Sequence, residues 1–184
     1  MMTTVNSLSE ALLHELQQIY NAERQIIDAL PKLIKKADSA SLKAALQDHM
    51  EETENQIARL DRIGSIVGSK FNGNKCKGMQ GLLEEGADLL EFESENPALI
   101  DILLACGAQK IEQYEMAAYD TAVSIAEELG LDEVVELLEE TLDEEIAADQ
   151  RFSEILAADL LPEVSEKSDA LVSRAATKAQ PIKS

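Results

Sequence analysis

The sequence predicts an all-α fold, an antiparallel four-helix bundle with one long crossover between its second and third long helices. Three observations predict it. Apolar residues recur at a 4,3 spacing through four long stretches, the signature of one buried helix face. The apolar set is mostly Leu, Ile and Ala, with 3% aromatic residues, no Trp and four Pro, which suits packed helices rather than strands. The connections between the four stretches read short, long, short. At 184 residues the chain fits one domain, with the bundle expected over 1–162 and a mobile Ser-, Ala- and Lys-rich tail over 163–184.

Ser7 followed by Glu10 forms a capping box, after which Leu12, Leu16, Ile19, Ile26, Leu30 and Leu33 carry the first helix from about Leu8 to Ala37. Pro31 lies inside this pattern, so a kink or an early end is expected there. Asp38, Ser39, Ala40 and Ser41 supply a turn and an N-cap. Leu42, Leu46, Leu60, Ile63 and Val67 then define the second helix, ending at Gly68. Residues 68–97 break the rhythm with a polar, Gly-containing stretch and a short amphipathic helix around Met79 to Phe92. Asn96 as N-cap and Pro97 at the first helical position open the third long helix, with Leu104, Ala108, Ile111, Ala118, Ala122, Ile125 and Leu129 on its seam and Gly130 closing it. Asp132 is expected to cap the fourth, whose seam is Val135, Leu138, Leu142, Phe152 and Leu156 and which stops near Leu161-Pro162. One long connection among four helices is the ferritin-like pattern. An up-down bundle with an added helix is the alternative.

A net charge of −20 disfavours phosphate backbones and anionic lipid, so neither nucleic acid nor a membrane is expected as partner, and cations are. Met1 to Asn6 lack the basic and apolar regions of a secretion signal, and no apolar run is long enough to span a bilayer, so a cytoplasmic location is expected. Cys76 and Cys106 are too few for a disulfide framework and read as reduced thiols, Cys106 as a small core residue.

Each apolar seam is interrupted by residues foreign to an apolar core. Glu23 falls between Ile19 and Ile26; His49, Thr53 and Gln56 occupy the middle of the second seam, with Glu52 one turn from His49. Glu115 lies between Ile111 and Ala118, one turn after Glu112, and Glu145 and Asp149 lie between Leu142 and Phe152. Glu23 is 16 residues before Ser39 and Glu52 is 13 after it, roughly 24 and 20 Å at the α-helical rise. Glu115 and Glu145 match in the same way about Gly130. Carboxylates converging at one depth need protons or cations. Two divalent metals answer that need, with Glu23, Glu52, Glu115 and Glu145 as the central ligands, Glu112 as a further one, and His49 and Asp149 supplying either further ligands or hydrogen bonds to the ligating carboxylates. Oxygen-rich ligation with at most one imidazole suits Fe or Mn better than Zn or Cu. Tyr20 and Tyr119 lie one turn from Glu23 and Glu115, where core packing is the favoured role, and His14 is too far from Glu23 to ligate.

The stretches YNAERQ (20–25), HMEETENQIARL (49–60), IEQYEMAAYD (111–120) and LLEETLDEEIAAD (137–149) resemble the ferritin-like YciE/YciF family of bacterial stress proteins over residues 8–160. The resemblance implies a homodimeric four-helix bundle with a di-metal site. The wider ferritin and rubrerythrin pattern places Glu-x-x-His on the second and fourth helices; here the order is reversed in His49-x-x-Glu52, Asn55 stands where that His would be, and Ala148 holds the corresponding place on the fourth helix. Two functions are therefore expected as rivals. One is a di-iron protein reducing O₂ or peroxide while oxidising Fe(II) or another donor. The other is a non-enzymatic stress or structural protein in which metal only stabilises the fold.

Overall fold

The computed structural model describes residues 5–71 and 75–164, all of whose regular structure is helical. The helices are α1 (Leu8–Lys36), α2 (Ala40–Ile66), α3 (Lys77–Leu90), α4 (Pro97–Glu128) and α5 (Asp132–Ile155), followed by a π-helical turn (Leu156–Leu160) and a short α6 (Leu161–Val164). The expected tail lies outside the described residues from 165 onward, and the helical path continues two residues past Pro162.

Local chemistry explains the boundaries. The amide of Glu10 donates to Ser7 Oγ at 3.2 Å while Glu10 Oε2 accepts from the amide of Asn6 at 2.6 Å, so the box closes one residue earlier than the usual reciprocal form. α1 runs through Pro31 and ends at Lys36, because Ala37 turns extended at ψ 144°. Ser39 caps α2 through the amide of Leu42, and Asn96 caps α4 through the amide of Ala98 with Pro97 at the first position. Gly68 and Gly130 close α2 and α4 with φ of 68° and 66°, the left-handed region that glycine enters without strain. One expectation is corrected: Leu131, not Asp132, occupies the N-cap of α5 and makes no side-chain cap. Asp132 and Glu133 instead stand in the first turn, where their charge faces the positive end of the helix dipole.

α1 packs on α2 and α4, and α5 packs on the same two helices from the other side. The buried apolar residues fall into two bodies. One contains Ile26 and Leu30 of α1, Leu42 and Leu46 of α2, Leu104 and Ala108 of α4 and Phe152 of α5. The other contains Leu12 and Leu16, Leu60 and Ile63, Tyr119 and Val123, and Val134 and Leu138 from the same four helices. Each fully buried Leu or Ile contributes about 1.5–3 kcal/mol. The order of these residues makes α2 and α4 run one way and α1 and α5 the other. The chain leaving α2 must therefore return along the bundle before α4 begins. Phe71 packs in the second body and Cys76 and Met79 in the first, which traces that return. At its end Asp101 of α4 accepts from the amides of Asp38 and Ser39 at 2.9 and 2.7 Å, tying the start of α4 to the α1–α2 turn.

Candidate metal centre

Between the two apolar bodies lies a layer of buried polar side chains, one region of each long helix. Glu23 of α1, His49 of α2, Glu112 and Glu115 of α4 and Glu145 of α5 are all buried. Their ligating atoms form two groups, His49/Glu112/Glu115 and Glu23/Glu115/Glu145, within each of which one atom per residue lies within 4.8 Å of the others. Glu115 belongs to both. His49 Nε2 is 3.5 Å from Glu112 Oε1, and Tyr119 donates its phenol proton to Glu23 Oε1 at 2.5 Å.

Burial without compensation dominates the electrostatics. Eleven buried side-chain atoms lack a hydrogen-bond partner among the described residues, and they sit on His49, Glu23, Glu112, Glu115, Glu145 and the adjoining Glu52 and Gln56. Burial pushes the Glu23 carboxyl up to about 7, against the lowering effect of the Tyr119 hydrogen bond. Burial likewise lifts Glu112 to about 8, with the charges of Glu23, Glu52 and Asp149 adding to it. Glu115 and Glu145 are held well above the usual carboxylate range, first by burial and then by the neighbouring carboxylates. Glu23 faces Glu115, and Glu112 faces Glu145, closely enough for each pair to share a proton once one member is protonated. Fully ionised, the two pairs have a single donor between them, Tyr119 on Glu23 Oε1. His49 is pushed down to about 4 by burial and then by the charge of Arg151, so near neutral pH it offers a neutral imidazole lone pair. These residues fit a pair of divalent ions: oxygen-rich, one imidazole, and one carboxylate common to both groups.

A family profile described as a domain of unknown function (DUF892) matches residues 7–165. Protein YciF of Escherichia coli (strain K12) is 36% identical over 152 residues, 82% of this chain and 91% of that protein. The chain belongs to the YciF family. The crystal structure of the E. coli stress protein YciF matches with a TM-score of 0.81 at 34% identity, over 89% of this chain and 100% of that one. A Rhodopseudomonas palustris protein described as structural matches with a TM-score of 0.79 at 37% identity, over 83% of this chain and 97% of that one.

In this YciF-family chain the structure brings together five of the seven residues singled out from sequence and sets two aside. The buried stripe of α2 runs through Leu42, Leu46, His49, Thr53, Gln56 and Leu60, so Glu52 sits one position off it. Glu52 is half-buried and its Oε1 accepts from Arg151 Nη2 at 3.1 Å, while Oε2 is buried without a partner. The α5 stripe is Val134, Leu138, Thr141, Glu145, Ala148 and Phe152, which leaves Val135, Leu142 and Asp149 on its flank. Two contacts had only faint signals in the sequence. Tyr119 lies one turn after Glu115 but points across to α1, and Arg151 reaches Glu52 and Asp48 from the neighbouring helix. Arg59 adds a network with Glu144 at 2.7 Å and Glu140 at 3.0 Å beside the layer. Tyr20 instead packs against Phe71, with ring centroids 5.9 Å apart and the planes tilted by 54°, outside the layer.

Proposed function

We propose that this protein is a ferritin-like, carboxylate-bridged two-metal stress protein that holds two iron ions in its core and reduces O₂ or peroxide as Fe(II) or another donor is oxidised. The observation that carries the reading is the concentration of unpartnered buried atoms in one layer. Native interiors leave few such atoms, and each unsatisfied polar group costs about 1–3 kcal/mol, more when it is charged. Bound iron would supply a redox couple and open coordination positions for the oxidant. Glu115 would bridge, His49 and Glu112 would hold one ion, and Glu23 and Glu145 the other. Tyr119 fixes the rotamer of Glu23 and keeps a proton at its phenol oxygen. The direction of the helices and the returning connection support the ferritin-like reading of the fold. Manganese fits the same donors, and the family resemblance suggests a homodimer in the cytoplasm.

A second reading has a specific observation behind it: the R. palustris relative is described as a structural protein. There the metal would only neutralise the acid layer. Metal analysis of freshly purified protein, followed by anaerobic Fe(II) titration and exposure to O₂ or peroxide, tests both. Two ions per chain are expected, with a sharp loss in Glu115→Ala and none in His14→Ala. Equal metal content in parent and Glu115→Ala overturns the site. Normal loading with oxidant consumption no faster than free iron leaves the structural reading.

A further inference from the structure

A space of about 280 Å³ lies beneath α3, walled by α1 and α4. α3 carries four leucines, yet its one fully buried residue is Met79: Leu82, Leu83 and Leu89 pack against the first apolar body while staying partly open, and all four line the gap. The gap exists because the facing residues are small: Ala29, Gly107 and Ala108. Glycine is a poor choice within a long helix, and a Cβ at Gly107 would meet only Leu89 Cδ1, at 3.7 Å. Packing therefore does not demand the glycine. Ala29, Leu33, Leu83, Ala108 and Ile111 also line a second, narrow space of about 10 Å³, whose far wall is His49 and Glu112. Both are buried, and both carry unpartnered polar atoms.

We propose that the space beneath α3 binds one small, neutral, apolar molecule and holds it against the His49–Glu112 edge of the carboxylate layer. Its size is suitable, since an apolar cavity of about 150 Å³ already takes benzene. Its charged lining residues are Asp28, Lys32, Lys75 and Glu84, two of each sign, so an otherwise strongly acidic chain presents a balanced opening. An ion would have to shed its hydration to pass the leucines toward buried carboxylates, whereas a neutral apolar molecule would not. A chemical role for the bound molecule rests on the two-metal reading above; its binding does not.

The test uses metal-free protein and toluene, followed by NMR. Two histidines, His14 and His49, make the ring signals easy to assign. Toluene is expected to shift the methyl signals of Leu83 and Leu104 and the ring signals of His49, with His14 unmoved. Benzoate, its charged counterpart, is expected to bind at least tenfold more weakly. Gly107→Leu and Ala29→Leu fill the space from opposite walls and are each expected to weaken toluene at least tenfold while keeping the parent's metal stoichiometry. Should one of them fail to fold, the other decides. Absence of shifts in the parent, equal binding by both folded variants, or shifts that spare His49 overturns the proposal. Loss of metal binding in the parent would instead count against the metal centre and leave the toluene result standing.

Discussion

Glu23 shows how one side chain responds to its setting: its backbone lies in an ordinary helix, its carboxylate has one donor, Tyr119, and its second oxygen has none. Tyr119→Phe removes that donor, and the metal-free protein is expected to lose about 1–3 kcal/mol in denaturant unfolding at neutral pH. The acids as a set dictate a pH dependence. Glu23 and Glu112 titrate near 7 and 8 when folded, and near the usual carboxylate value of about 4.5 when unfolded. Their contribution is therefore full below about pH 4.5 and is lost as pH rises through 7 and 8. His49, folded near 4, acts oppositely, with its contribution present above about 6.5 and lost as pH falls through 4. Glu115 and Glu145 reinforce the acids, so the metal-free protein is expected to weaken steadily from pH 5 to pH 8. Unfolding midpoints across that range check this, and a flat or rising trend would contradict the protonated layer.

At the scale of the helix, placement depends on which residue sits on the buried stripe and how each end is fastened. α2 and α5 are rich in acids, yet their buried stripes admit one acid, Glu145, and one histidine, His49, while Glu52 and Asp149 fall to the flanks. Asp101 is the fastening of consequence. Its carboxylate takes the amides of both Asp38 and Ser39, holding the α1–α2 turn against the first turns of α4. Asp101→Ala is expected to cost about 2–4 kcal/mol, since two donors lose a charged acceptor, and to leave metal stoichiometry at parent levels because the turn lies far from Glu115. Calorimetry and metal analysis of that variant check both halves.

Across the whole molecule, the acid layer separates two apolar bodies that together hold nearly all the buried apolar residues. The fold thus carries a destabilised middle between two well-packed ends. A ligand that binds only the native state adds RT ln(1 + [L]/Kd), about 2.7 kcal/mol at a hundredfold excess over Kd. Mn(II) is therefore expected to raise the unfolding temperature, more at pH 8 than at pH 5, where protons compete for the same oxygens. Glu145→Gln should reduce the rise far more than Glu52→Gln, because Glu145 lies wholly within the layer whereas Glu52 is already committed to Arg151. Scanning calorimetry with and without metal checks the ranking, and equal responses would remove Glu145 from the centre.

The sequence by itself determined that the chain is helical and where each long helix lies, because a 4,3 apolar spacing, the Ser7–Glu10 box, Asn96-Pro97 and Gly130 are local signals that need no partner to read. Helix rise, which converts residue counts into length, also put Glu115 and Glu145 at one depth, and the structure groups these two, whereas Glu52, counted level with Glu23, lies off the buried stripe. What only the tertiary structure decided is rotation about each helix axis. A step of one residue turns a side chain by about 100°, enough to carry Glu52 off the stripe on which Thr53 sits and Asp149 off the one that Ala148 occupies. The same rotation brings Glu112 inward beside His49, which the apolar spacing already placed on its seam, and the packing of α1 against α4 aims Tyr119 at Glu23. These choices are made by neighbouring helices competing for one interior, and no single stretch of sequence contains that competition.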